Sequence, residues 1–222
     1  MTRKVMIGSP CYPGTVDVWY TNSLVNTVKL SFEKDVEITP MWVSFDALIQ
    51  RARNDTIQLA IEMDVDDLIF IDTDIEWEPE DFFKLLDYSH DVVGGTYRKK
   101  GDIEEYVFKA SSSLDKNEEG LIEVTGLGTG FVKLSRKAIK YLWDNGTPYI
   151  DPKDNKERRM ICDVRIKDGG LHSEDIHMFS VLLDGGFKVY LDPEITCNHT
   201  GPYKFMGDFN KWLSKSVKKR QL

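Results

Sequence analysis

The sequence predicts a single α/β domain with a mainly parallel central sheet, flanked by helices and accompanied by a small additional sheet. Up to Ile71, apolar segments alternate in the order strand, helix, strand, helix, strand. Strands that are separated by helices usually pair in parallel through right-handed crossovers. The 222 residues are 41% hydrophobic and 30% charged, which is typical of a globular domain. Neither an internal repeat nor a low-complexity linker divides the chain.

Four strands and three helices are predicted in the first half. The first strand is short and apolar, the second alternates, the third is wholly apolar and the fourth contains two glycines. The helices carry apolar residues three and four positions apart, and the third has acidic residues in its first turn. The strands are residues 4–7, 36–43, 68–71 and 91–97, and the helices are residues 16–30, 45–63 and 79–88.

The second half is less regular. Residues 102–119 alternate weakly and predict a strand with an exposed hairpin loop, and residues 121–134 form an apolar strand pattern. Gly126, Gly128 and Gly130 within that pattern indicate a bulge or a close approach of the backbone to a ligand. A helix at 137–144, a polar loop at 145–159, a helix at 174–183, a strand at 187–191 and a basic helix at 211–220 complete the prediction.

Composition excludes some classes of function. A net charge of -8 argues against broad nucleic-acid binding, which usually needs a basic surface. The three cysteines show no CxxC spacing and suit a reducing compartment better than a disulfide framework. We see no signal peptide and no apolar run of about 18 residues that would span a membrane. We therefore expect a cytoplasmic protein without a transmembrane segment.

The most informative motif is a pair of carboxylates, Asp72 and Asp74, directly after the apolar strand that ends at Ile71. Side chains two residues apart in an extended segment point the same way, so the two carboxylates should project together. Their mutual repulsion would be relieved by a hard divalent cation such as Mg²⁺, which carboxylates and substrate phosphates commonly hold. A solvated acidic turn after a core strand is the alternative.

Three further groups are candidate functional residues. Glu174 and Asp175 follow Ser173, so they either serve the helix N-terminus alone or act as a base on an acceptor hydroxyl. His199 lies beyond the last predicted strand and is either a packed side chain or a metal ligand. Arg53 and its neighbour Arg51 suit diphosphate recognition, although a solvated helix face explains them almost as well.

Taken together, these motifs resemble the glycosyltransferase A fold. The resemblance runs from about residue 4 to 203 and is carried by the loop after the first strand, Asp72-Thr73-Asp74, the glycines of 126–130, Glu174-Asp175 and His199. The chain is similar in particular to glycosyltransferase domains of large algal viruses (chloroviruses). The chain lacks a Gln-x-x-Arg-Trp motif and so does not resemble a processive polysaccharide synthase.

The resemblance implies a glycosyltransferase A-type domain with a nucleotide-binding half (residues 1–100), an acceptor-binding half (101–210) and a basic C-terminal helix (211–222), which is compatible with a further domain beyond it. The enzyme would move a hexose or deoxyhexose from a nucleotide-diphosphate sugar, with UDP preferred, to a glycan hydroxyl. A viral enzyme would work in the host cytoplasm. The implied residues are Ser9, Pro10, Tyr12, Arg53, Asn54, Asp72 and Thr73 for the donor, Asp72, Asp74 and His199 for Mn²⁺ or Mg²⁺, and Asp175 or Glu174 for catalysis.

Other functions remain open at the level of sequence. A phosphatase of the haloacid dehalogenase type also places Asp-x-Asp after an apolar strand, but usually after its first strand. A sugar-phosphate nucleotidyltransferase shares the carboxylate–metal chemistry, but it usually carries a basic glycine-rich signature that residues 8–14 lack. A non-catalytic carbohydrate-binding module would need no nucleotide-diphosphate site.

Overall fold

A ten-stranded mixed sheet forms the centre of the computed structural model, which describes residues 2–220 apart from residues 13, 153 and 168. The strands are β1 (Arg3–Cys11), β2 (Val36–Ser44), β3 (Asp67–Ile71), β4 (Ile75–Glu76), β5 (Val92–Tyr97), β6 (Phe108–Ala110), β7 (Ile122–Leu127), β8 (Phe131–Ser135), β9 (Thr147–Asp151), β10 (Lys156–Met160), β11 (Arg165–Lys167), β12 (Gly170–His172), β13 (Val189–Thr200) and β14 (Lys204–Phe205). The helices are α1 (Val18–Ser31), α2 (Ile49–Glu62), α3 (Pro79–Asp87), α4 (Arg136–Asn145), α5 (Glu174–Asp184) and α6 (Phe209–Arg220).

The prediction of a mainly parallel sheet is wrong. The strand order is β2-β1-β3-β8-β5-β13-β7-β6, and β4 and β14 both pair with β13. Only the pairs β1–β2, β1–β3 and β5–β13 are parallel, whereas β8 and β7 run antiparallel to each of their neighbours. The single strand predicted at 121–134 is in fact β7 and β8, separated by residues 128–130. An apolar pattern records burial but not strand direction, so it gave no sign that β8 inserts between β3 and β5.

Both faces of the sheet are covered, as the apolar run before the acidic pair predicts. Leu68 and Phe70 of β3 point into one hydrophobic cluster, and Ile69 and Ile71 point into another. The first cluster contains residues of α2, α4, α5 and α6, and the second contains residues of α1 and α3. A strand that is buried on both faces needs apolar residues at every position rather than at alternate ones.

Two small sheets lie outside the central one, in line with the predicted additional sheet. The polar segment 145–159, predicted as a loop, instead contains β9 and most of β10, which form an antiparallel hairpin. Strands β11 and β12 form a second hairpin. The residues of β9 and β10 are all partly or fully exposed, so these strands lack the apolar alternation that would have identified them.

The cysteines agree with the expectation of free thiols. Cys11, Cys162 and Cys197 are all buried and unbridged. Among the described residues, the helices are too short or too polar to cross a membrane.

Candidate functional site

A cavity of about 340 Å³ opens at the carboxyl ends of β1 and β3, where ligands of α/β sheets usually bind. Most of the predicted site residues line it: Pro10, Tyr12, Arg53, Asp72, Thr73, Asp74 and His199. Four residues that were not among the assigned site residues also line it: Asp46, Ala47, Ile49 and Tyr97. The structure therefore brings together residues from the first and last quarters of the chain.

The acidic pair stands in the turn between β3 and β4 rather than within an extended strand. The Ile75 amide donates to the Asp72 carbonyl at 3.0 Å, and the Asp72 amide donates to the Gly130 carbonyl at 3.3 Å. Although the expected strand geometry is absent at the pair itself, Asp72 and Asp74 both line the same cavity.

The pairing of β4 with β13 brings His199 to Asp74. His199 is the register partner of Ile75, and the Thr200 amide donates to the Asp74 carbonyl at 2.8 Å. As a result His199 Nε2 lies 3.4 Å from Asp74 Oδ2. The other ring nitrogen, Nδ1, lies 3.0 Å from the Arg98 carbonyl oxygen. A carbonyl can only accept, so Nδ1 carries the proton and Nε2 keeps the lone pair in the neutral imidazole.

A lysine that the sequence analysis did not assign to the site completes this group. The Lys100 ammonium contacts the same carboxylate oxygen of Asp74 that faces His199. Burial on its own would raise the pKa of Asp74, but a hydrogen bond from His199, when its ring is protonated on both nitrogens, and one from Lys100 outweigh it and hold the pKa below its usual value. Asp74 is therefore ionised at neutral pH.

These donors fit a divalent cation in type. Carboxylate oxygens suit both Mn²⁺ and Mg²⁺, and a neutral imidazole nitrogen is a common metal ligand. The carbonyl behind His199 orients the ring as the outer partners of metal-binding histidines do. The three side chains are not gathered round one point: over the described part of the chain, no cluster of three His, Cys, Asp or Glu side chains is positioned to hold a metal. Asp72 faces Arg53 instead.

Arg53 is buried and joins two parts of the site. The residue is only 6% exposed, and its guanidinium contacts Glu174 and lies 3.4 Å from Asp72. Its Nε atom has no hydrogen-bond partner among the described residues. Burial lowers the pKa of Arg53, but the charges of Asp72 and Glu174 raise it further, so the net pKa lies above its usual value. Arg53 thus acts first as a link between carboxylates.

Two predicted donor residues lie away from the cavity lining. Asn54 is buried, and its side-chain oxygen accepts from the amides of Ile161 and Cys162 at 3.0 and 2.7 Å. Ser9 is also buried, and its hydroxyl lies 2.7 Å from the Tyr20 hydroxyl. Both side chains are engaged within the protein, and their roles in donor binding remain predictions.

The acidic pair of α5 lies behind Arg53. Glu174 is the first residue of α5, and its side chain, 14% exposed, contacts the Arg53 guanidinium. Asp175 Oδ1 accepts from the Ile176 amide at 2.7 Å and from the Ser173 hydroxyl. Within the described residues, the hydrogen bonds of Asp175 all go to Oδ1.

Tyr97, the last residue of β5, was not assigned to the site from the sequence. Its ring meets that of His199 edge to face, with centroids 5.0 Å apart. A Cβ at Gly128 would lie 2.3 Å from Tyr97 Oη, and one at Gly130 would lie 2.5 Å from Tyr97 Cε1. Gly128 and Gly130 thus make room for the tyrosine ring, and the register of β6 and β7 shifts near Gly126, as the predicted bulge requires. The position of Tyr97 at a strand's carboxyl end was the available signal.

Comparison with known proteins supports the fold. No family model matches the chain, and no curated protein matches it. The crystal structure of A197 from STIV superimposes with a TM-score of 0.56 and 20% identity, over 90% of this chain and 86% of that one. A glycosyltransferase involved in the glycosylation of the major capsid of PBCV-1 gives a TM-score of 0.37 and 12% identity, over 64% of this chain and 66% of that one. The first likeness shows a shared fold, and the second is too low to support an argument.

Proposed function

We propose that this protein is a metal-dependent glycosyltransferase that moves a hexose or deoxyhexose from a UDP-sugar to a glycan hydroxyl. One observation carries the proposal. The cavity at the strand ends is lined by Asp72, Asp74 and His199, and Arg53 connects it to the carboxylate of Glu174. This combination suits a metal-dependent nucleotide-sugar transferase, in which a cation held by the carboxylates would neutralise the diphosphate and a further carboxylate would act on the acceptor hydroxyl.

The donor nucleotide would lie between the loops that follow β1 and β2. Tyr12 lines the cavity and is 64% exposed, so its ring is free to stack on a planar base. Pro10 and Ile49 add apolar contacts at the same wall. Thr73, which stands between the two aspartates in the sequence, lines the same cavity. This leaves the diphosphate beside Asp74 and His199.

Asp74 and His199 are the proposed ligands of Mn²⁺ or Mg²⁺, with Asp72 as a third candidate. A bound divalent cation would supply Lewis-acid stabilisation of the negative charge that develops on the leaving nucleoside diphosphate. The Arg98 carbonyl holds the His199 ring so that Nε2 faces Asp74. Arg53 holds the side chains of Asp72 and Glu174 in place.

Asp175 is the proposed base if the enzyme inverts configuration. Its Oδ2 would take the proton of the acceptor hydroxyl while that oxygen bonds to the anomeric carbon and the sugar–phosphate bond breaks. Glu174 is the second candidate. Its carboxylate already contacts the Arg53 guanidinium, so it is less free than Asp175 to turn towards an acceptor.

The test is release of nucleoside diphosphate from UDP-sugars in the presence of Mn²⁺, followed by chromatography. The wild type should release UDP from at least one donor. Asp175→Asn should bind that donor normally but lose turnover by roughly 10²–10⁴-fold, the usual contribution of a general base. Asp184→Asn, at the exposed far end of the same helix, is the matched control and should retain activity.

Each result has a definite meaning. Full turnover in Asp175→Asn would transfer the catalytic role to Glu174. No release from any sugar nucleotide by the wild type would contradict the proposed activity and favour a non-catalytic carbohydrate-binding module.

A further inference from the structure

The short segment that follows β5 contacts both His199 and Asp74. The carbonyl of Arg98 accepts from His199 Nδ1, and the ammonium of Lys100, two residues later, contacts Asp74 Oδ2. The same oxygen lies 3.4 Å from His199 Nε2. One carboxylate oxygen is thus shared between the imidazole and the ammonium.

This arrangement needs a positive charge. In the neutral form, with the proton on Nδ1, the imidazole presents a lone pair to a carboxylate oxygen, and the two acceptors repel unless a proton or a cation lies between them. The Lys100 ammonium removes that conflict because it neutralises the carboxylate directly. A divalent cation at Asp74 would remove it equally well, but the two cations would then repel each other at contact distance.

The lysine is placed so that it can both reach Asp74 and leave it. Its aliphatic chain passes Gly201, where a Cβ would lie only 3.2 Å from Lys100 Cδ. The Lys100 side chain is 36% exposed and Asp74 is 37% exposed, so the ammonium borders solvent. The preceding Lys99 points elsewhere and pairs with Glu105 at 3.1 Å.

We infer that Lys100 is a built-in competitor for the divalent cation: it holds Asp74 when the site is free of metal and leaves Asp74 when Mn²⁺ or Mg²⁺ binds. The inference rests on the proposed metal site. It assigns to Lys100 a positioning role, in which the ammonium keeps Asp74 and His199 together before metal and donor arrive. The apparent affinity for metal is then lowered by the fraction of molecules in which Lys100 occupies the carboxylate.

The first test measures Mn²⁺ binding, by electron paramagnetic resonance of the free ion, without any donor. Lys100→Met keeps the length of the side chain but removes its charge. It should bind Mn²⁺ on the order of tenfold more tightly than the wild type, if Lys100 occupies Asp74 about nine-tenths of the time. Lys99→Met removes the same charge one residue away and should leave the dissociation constant within about twofold, because exposed charges act weakly at a distance.

The second test follows the Lys100 amine itself. Reductive methylation, read by mass spectrometry, should modify Lys100 slowly in metal-free protein and faster with Mg²⁺, while Lys99 reacts equally in both. An unchanged rate at Lys100 would show that the ammonium is not displaced and would overturn the inference.

Failure of the inference and failure of the proposed metal site give different results. If the wild type binds Mn²⁺ and Lys100→Met binds it no more tightly, the competition is wrong but the metal site stands. If neither protein binds Mn²⁺, the metal site is wrong and the competition falls with it.

Discussion

Asp72 and Glu174 are held by one guanidinium, that of the buried Arg53. Asp72 follows β3 at the cavity, whereas Glu174 begins α5. Arg53 lies in α2, so three elements that are distant in sequence meet at this charge. In the proposed enzyme, the position of Asp72 in the nucleotide-sugar site is therefore coupled to the position of α5, which carries the proposed base.

Replacement of Arg53 tests this coupling. Arg53→Met leaves two carboxylates without their shared cation, and loss of one partner of a buried pair typically costs about 3–5 kcal/mol of unfolding free energy. Arg165→Met is the control, because it breaks a pair with Asp163 in which the two side chains are 47% and 31% exposed, and it should cost only about 0–1 kcal/mol. Urea unfolding measures both. Equal losses in the two variants would contradict the linking role.

The glycines of the 126–130 segment should matter through Tyr97. Gly128→Ala places a methyl group where the Tyr97 hydroxyl lies, so the ring must shift towards His199 or the backbone must yield. We expect a loss of about 1–3 kcal/mol, as for other overpacked sites, and a change in the fluorescence or ring NMR signals of Tyr97.

The control for that substitution is Gly170→Ala. At Gly170 the nearest atom to a new Cβ is 3.6 Å away, which is an ordinary contact. The free energy of unfolding of Gly170→Ala should therefore stay near that of the wild type. An unchanged free energy of unfolding in Gly128→Ala would show that the packing around Tyr97 is looser than the structure indicates.

Lys133 predicts a specific pH dependence of stability. It is 1% exposed on β8, donates to the Tyr88 carbonyl at 2.6 Å, and burial lowers its pKa to about 8. In the unfolded chain a lysine titrates near pH ~10.4. Between these values the unfolded state binds more protons, so this residue makes the protein more stable as pH rises from about 8 to 10.

Urea unfolding at several pH values checks this sign. In Lys133→Met the free energy of unfolding should lack this increase with pH. Between about pH 8 and 10 the variant should therefore lose stability relative to the wild type, by at most about 1.4 kcal/mol per pH unit. Lys137→Met, at a side chain that is 75% exposed, should run parallel to the wild type. Parallel curves for Lys133→Met as well would mean that Lys133 titrates normally in the folded protein.

The sequence predicts well which strands are buried, but it predicts poorly the direction in which they run. β3 could be identified because cover on both faces demands an unbroken apolar run. β8 is equally buried, but nothing in its pattern distinguishes an antiparallel insertion from a parallel strand. The β9–β10 hairpin was missed because partly exposed polar strands resemble a loop.

Only some features of the candidate site could likewise be predicted from the sequence. Asp72, Asp74 and His199 were recognisable because each follows a predicted strand, where site residues of α/β sheets gather. The link from Arg53 to Glu174 spans two segments that only the tertiary structure brings together. Lys100 lies in the run Arg98-Lys99-Lys100, which has the pattern of a solvated loop, so its contact with Asp74 had no local signal.

Calorimetric titration of nucleoside diphosphates and their sugars, with Mn²⁺ and with EDTA, tests the central claim most directly. We predict that one nucleotide, UDP, binds in the range of about 1 μM to 1 mM, that EDTA abolishes this binding, and that Asp74→Ala abolishes it too. The absence of binding under both conditions, or an equal affinity with EDTA and in Asp74→Ala, would contradict a metal-dependent nucleotide-sugar site.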